Sequence, residues 1–116
     1  MGRIYKNENQ LLLLEMLEIY QPGLWDWMQY QITNKNTLTL HHIRKQSDNG
    51  LVILSNGALL TKKAHQILNK LEDLDYSLYI DWNDLFFLIN VDKQPPCDYY
   101  VGEARKLKKH TQKILY

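Results

Sequence analysis

Thr37-Leu38-Thr39-Leu40-His41-His42-Ile43 alternates polar and apolar side chains, the pattern of a strand, up to a pair of histidines. In a strand successive side chains point to opposite faces, so His41 and His42 face opposite ways. Three of the four histidines lie within the 25 residues from 41 to 65, with Asn56 between them. Imidazoles spaced like this point to one divalent metal site. One histidine of the pair then serves a metal while the other faces a substrate. The ordinary alternative is a partly exposed pair near a strand end.

Outward from this stretch, residues 44 to 50 read as a charged loop whose Asn49-Gly50 is a turn signal. Residues 51 to 54 read as a second strand, ended by Ser55-Asn56-Gly57. Thr61 is placed to cap a helix over Lys62–Leu74, with Ala64, Ile67, Leu68, Leu71 and Leu74 at helical spacing and His65 on its first turns. Upstream, residues 8 to 20 predict an amphipathic helix with Leu11, Leu14, Met16 or Leu17, and Ile19 inward. Pro22-Gly23 stops it. Residues 24 to 32 predict a short second helix carrying Trp25, Met28 and Ile32. Of Trp25 and Trp27, one is expected buried and one half exposed.

Downstream, Leu78, Trp82, Leu85, Phe86 and Ile89 predict a helix over residues 77 to 91, capped by Asp75 or Ser77. Pro95-Pro96 separates it from a C-terminal helix over residues 101 to 115, with Val101, Ala104, Leu107 and Ile114 inward. The expected fold class is α+β in one domain. Residues 1–36 form a helical segment, 37–75 a strand-loop-strand-helix core, and 76–116 the C-terminal helices.

The 116 residues are 45% apolar, enough for one domain to bury a core of its own. Fourteen basic and 13 acidic side chains leave a formal charge of +1, without the strong positive field of a nonspecific nucleic-acid binder. The distribution is uneven: residues 101 to 116 carry a local +4 and residues 1 to 100 carry −3. A single cysteine, Cys97, excludes an intramolecular disulfide and fits a reducing cytosol. The apolar run from Leu11 to Leu14 falls well short of the roughly 20 residues of a membrane span. No cleavable signal accompanies it. The expected location is the cytoplasm, that of a bacterial host if a phage encodes the chain. Eight tyrosines and three tryptophans point weakly to a protein partner.

Strand, loop, strand and helix, with these polar residues in this order, resemble the HNH endonucleases. Their ββα-metal motif is a two-stranded ribbon packed on a helix around one divalent ion. The resemblance covers roughly residues 37 to 75 and rests on Leu40-His41-His42-Ile43, Asn56-Gly57-Ala58-Leu59-Leu60 and Ala64-His65-Gln66. It implies that His41 is a metal ligand, His42 the general base that activates water, Asn56 the residue that orients the site, and His65 a ligand on the helix. Many members place a second ligand one helical turn beyond the last histidine. Here that position is Asn69, a weak ligand beside imidazole or thiolate. Cys97 and His110 are the other soft donors able to complete a four-coordinate zinc site, Cys97 being otherwise a lone thiol. The ion implied is zinc, or Mg²⁺ or Mn²⁺ in an active nuclease.

Two functions follow from the resemblance. As an enzyme the chain is a small metal-dependent DNA endonuclease, with Arg105, Lys106, Lys108 and Lys109 neutralising phosphates. The bland alternative for that run is a solvated helix face. As a binding protein it keeps the metal scaffold for stability and presents Tyr76, Tyr79, Asp81, Asp84, Tyr99 and Tyr100 to another macromolecule, as a nucleic-acid mimic in a basic channel. Small phage-type proteins similar to degraded nucleases include CRISPR inhibitors. That similarity implies an anti-CRISPR protein whose partner is a type II effector nuclease, and the charge balance together with Asn69 favours it over the enzyme.

Overall fold

The computed structural model describes residues 7–92 and 97–116, so the Pro95-Pro96 break lies outside the described residues. Helix α1 (Glu8–Tyr20) precedes an irregular segment, strand β1 (Leu38–His42), a long loop and strand β2 (Gly57–Thr61). Helices α2 (Lys62–Leu74), α3 (Tyr76–Asp92) and α4 (Asp98–Leu115) complete an α+β fold around a two-stranded antiparallel ribbon. None of the described helices is long and apolar enough to cross a membrane.

The ribbon sets the layers. Leu38 pairs with Thr61, Leu40 with Leu59, and His42 with Gly57, so these six share one face, while Thr39, His41, Ala58 and Leu60 share the other. Helix α1 packs on the first face. A Cβ on Gly57 would lie 2.5 Å from the buried Met16 Sδ, so any larger residue would force that side chain to shift, and glycine lets it seat against β2. Helices α2 and α3 cover the second face. Thr61 Oγ1 accepts from Ala64 N–H at 3.2 Å to cap α2, and Asp75 Oδ1 accepts from Leu78 N–H at 3.1 Å to cap α3. Helix α4 is held to α3 by Trp82, whose indole N–H donates to Thr111 Oγ1 at 3.0 Å.

Four expectations are corrected. Residues 51 to 54 are not a strand: Leu51 and Ile53 are exposed, and β2 begins at Gly57, after Asn56. Pairing continues past His42 through Ile43 N–H to Asn56 O at 2.8 Å, which fixes the register to Gly57–Thr61 and leaves the earlier apolar run in the loop.

Residues 24 to 32 form no helix. Asp26 Oδ1 accepts from Met28 N–H at 2.8 Å and Tyr30 N–H at 2.9 Å, so the side chain captures donors that a helix would use internally. Asp26 Oδ2 accepts from Thr61 N–H at 2.8 Å, and Trp27 N–H donates to Leu59 O at 3.0 Å, so the segment seals the outer edge of β2. Trp27 is buried and Trp25 exposed.

Helix α1 turns Leu12, Met16 and Tyr20 inward, leaving Leu11 and Leu14 in solvent. The interior set of α3 is as expected, with Tyr79, Asn83 and Asn90 added. Leu74 of α2 and Ile114 of α4 are exposed.

Candidate functional site: three imidazoles around the ribbon end

Strand pleat divides the histidine pair as its alternation predicts. His41 points into the α2/α3 face and is 4% exposed. Its ring centre lies 5.4 Å from that of His65, edge to face at 84°, and 5.8 Å from Phe86. His42 points to the α1 face, where Nε2 meets Asn9 Oδ1 at 3.0 Å.

The hydrogen bonds fix each tautomer. Thr39 Oγ1 donates its one proton to Leu60 O at 2.8 Å, so at 3.0 Å from His65 Nδ1 it must accept, and His65 carries its proton on Nδ1. Asn83 Oδ1 accepts only, so His41 donates from Nε2 at 2.8 Å. Asn83 is itself fixed by donation from Nδ2 to Tyr79 O at 3.2 Å. By the same argument His42 donates from Nε2 to Asn9. Three nitrogens are left bearing lone pairs: His41 Nδ1, His42 Nδ1 and His65 Nε2.

All three rings are held neutral. Burial pushes the His41 pKa down to about 4, against the smaller upward pull of its Asn83 bond, and the nearby His65 and His42 push the same way as burial. Burial also lowers His42, and burial followed by the charge of His42 lowers His65. Neutral imidazole with one ring N–H already donated is the form that ligates metals.

The pair fits a shared ion in spacing. Two imidazoles on one tetrahedral zinc, with bonds of about 2.0 Å, have ring centres roughly 5 Å apart. The fuller ligand set is not assembled. Among the described residues no group of three or more histidine, cysteine or acidic side chains gathers anywhere. Asn69 is exposed on α2, Cys97 is exposed before α4, and His110 is exposed on α4. The His41-His65 spacing alone is that of two imidazoles on one ion, and Asn69, Cys97 and His110 do not join it among the described residues.

Asn56 closes the loop that carries the ribbon end. Its Oδ1 accepts from Arg44 N–H at 2.7 Å, and Nδ2 donates to Arg44 O and Leu51 O, both at 2.9 Å. These bonds go to the loop backbone and to none of the imidazoles. At the tip, a Cβ on Gly50 would lie 1.8 Å from Arg44 O, which makes glycine obligatory there. Lys45 Nζ ties the loop to α2 through Glu72 at 2.5 Å.

The expected partner surface divides. Tyr79 is buried against the core, where its ring stacks on Tyr76, and so is not available to a partner. Tyr76, Asp81, Asp84 and Tyr99 are exposed, and Tyr100 is half-buried with its hydroxyl on Asp92. Asp81, Asp84, Tyr99 and Glu103 line one groove between α3 and α4. Among the basic residues, Lys106 pairs with Glu103 at 3.5 Å, apart from Arg105, Lys108 and Lys109.

Thr39, Asn9 and Asn83 escaped the sequence reading. Asn83 had a signal, a polar residue next to Trp82 on the inward side of an otherwise apolar helix. No protein family, curated protein or solved structure matches the chain.

Proposed function

We propose that the chain is an HNH-like ββα-metal protein that hydrolyses nucleic-acid phosphodiester bonds, with His41 and His65 holding one divalent ion and His42 acting as general base. The observation that carries the reading is the His41-His65 pair. Two elements far apart in sequence bring two neutral imidazoles edge to face, each with one ring N–H donated inside the protein and the other nitrogen bare. A bound divalent ion would supply stabilisation of charge on the phosphate and the leaving oxygen.

The chain's own residues do the rest. His42 Nδ1 takes a proton from the attacking water, and the Nε2–H bond to Asn9 holds the ring and stabilises the imidazolium that results. Burial lowers the His42 pKa, so the basic form survives below pH 6.5. The acid limb of kcat/KM should accordingly lie below that of a free imidazole. Two protein ligands leave positions open for water and substrate, and imidazole nitrogens suit Zn²⁺ better than the oxygen-seeking Mg²⁺.

A second reading rests on the groove between α3 and α4. Its acidic and tyrosine side chains, Asp81, Asp84, Tyr99 and Glu103, suit occupation of a basic channel, as in a protein inhibitor of a CRISPR effector nuclease. One experiment separates the two. Plasmid and labelled oligonucleotides are incubated with the protein and Zn²⁺, Mn²⁺ or Mg²⁺. Cleavage that disappears in His42→Ala and His65→Ala, with circular dichroism unchanged, is the expected result. No cleavage with any of these ions, together with inhibition of an effector that Asp81→Lys/Asp84→Lys abolishes, would replace the enzyme by the inhibitor.

A further inference from the structure

Remote from the imidazoles, α4 and the segment that follows α1 enclose a shallow groove lined by Trp25, Gln29, Arg105, Lys108, Lys109 and Gln112. We propose that this groove binds single-stranded nucleic acid, Trp25 stacking on one base while Arg105, Lys108 and Lys109 neutralise successive phosphates. The proposal extends the nuclease reading by naming the surface and the form of the substrate, and rests on that reading only for its purpose.

Positions 105, 108, 109 and 112 fall on one side of α4 and extend over about 10 Å of helix. Among the described residues the ion pairs are Lys45-Glu72 and Lys106-Glu103, so these three cations have no carboxylate at salt-bridge distance. Lys108 is already fixed. Its Nζ donates to Gln29 O at 2.6 Å and sits 4.2 Å from the centre of the Tyr30 ring, with Lys63 Nζ 5.7 Å from the same ring. Burial lowers the Lys108 pKa, and the ammonium is held in place beside the groove. Asp26, the carboxylate whose charge acts on Lys108, is buried with both oxygens committed to backbone N–H groups.

Trp25 is 47% exposed beside these cations. An aromatic platform next to a cationic track is the arrangement that grips unpaired bases, since a duplex offers phosphates but no free base face.

The test is fluorescence anisotropy of a labelled oligothymidylate of about twelve nucleotides, with the matching duplex as competitor, in EDTA so that cleavage cannot intervene. The single strand should bind more tightly than the duplex. Three phosphate contacts should give a slope of log K against log salt of about −2, falling toward about −0.7 in Arg105→Ala/Lys109→Ala. Trp25→Ala should weaken binding at least about 5-fold, and Trp25→Tyr should restore most of it. Because EDTA removes divalent ions from the assay, binding is read apart from the metal, so the groove can stand even if the catalytic reading falls. Equal or tighter duplex binding, equal binding of a polyglutamate peptide, or an unchanged affinity in a folded Trp25→Ala would each overturn the proposal.

Discussion

His41 and Asp26 are both buried ionisable groups against the same two-stranded ribbon, and they are handled in opposite ways. His41 meets one neutral acceptor, Asn83, and burial wins, so the ring is held neutral with one nitrogen free. Asp26 receives three backbone N–H groups, from Met28, Tyr30 and Thr61. Burial raises its pKa, and those bonds offset part of the rise. The difference separates a group kept available for chemistry from one whose bonding capacity is spent on the fold. His41 has a bare nitrogen and a neighbouring imidazole, whereas Asp26 has neither.

Removing Asp26 should break the comparison at its strongest point. Asp26→Ala orphans three buried N–H groups and should cost about 3–5 kcal/mol, measured by urea unfolding. Asp26→Asn should also destabilise, since its amide N–H would face Thr61 N–H. A loss below about 1 kcal/mol in Asp26→Ala would mean that the segment around residue 26 is held by packing alone.

Acid should discriminate the two groups next. The folded pKa of His41 is about 4 against 6.5 unfolded, so the unfolded chain binds the extra proton between these values. The stabilisation is full above pH 6.5 and is lost as pH falls toward 4, about 3 kcal/mol in all. His42 and His65, also lowered, add in the same direction. Asp26 runs the other way: its raised folded pKa means that stability falls as pH climbs above 3.8. Melting followed from pH 7 to 4 should show a steep decline that flattens in His41→Gln. A wild-type profile insensitive to pH between 6.5 and 4.5 would contradict the burial of a neutral His41.

Divalent ions should stabilise one side only. At an ion concentration of 100 Kd, binding confined to the native state adds about 2.7 kcal/mol. Thermal scans with Mn²⁺ or Zn²⁺ should show that gain in Asn69→Ala and lose it in His65→Ala. Smallest is the effect of Asn56, whose bonds serve a half-exposed loop. Asn56→Ala should cost about 1–2 kcal/mol and speed amide exchange between residues 43 and 56 before anywhere else.

Much of the molecule was legible because local chemistry and tertiary demand agree. Helix α2 has its cap, its period and its buried face in one stretch, and the alternation of β1 placed His41 and His42 on opposite sides. Elsewhere one signal carried two meanings. The run from Leu51 to Leu54 is as apolar as a strand, yet the pairing of His42 with Gly57 leaves it in the loop. Helix α1 has leucines at four successive positions, so periodicity cannot choose a face, and contact with Gly57 selects Met16. The helix expected over residues 24 to 32 was displaced by one side chain, since Asp26 binds the backbone donors itself. The His41-His65 pair was visible as a spacing, but its supports were not. Thr39, Asn9 and Asn83 are ordinary residues whose roles arise only from contacts 26, 33 and 42 positions away.

Whether His41 and His65 share one divalent ion is read by following all four imidazoles in a ¹⁵N-labelled protein by NMR during titration with Zn²⁺, and with Mn²⁺ for paramagnetic broadening. His41 Nδ1 and His65 Nε2 should respond together and saturate at one equivalent, while exposed His110 stays unperturbed. Response at His110 alone, or at His65 without His41, would contradict a shared ion.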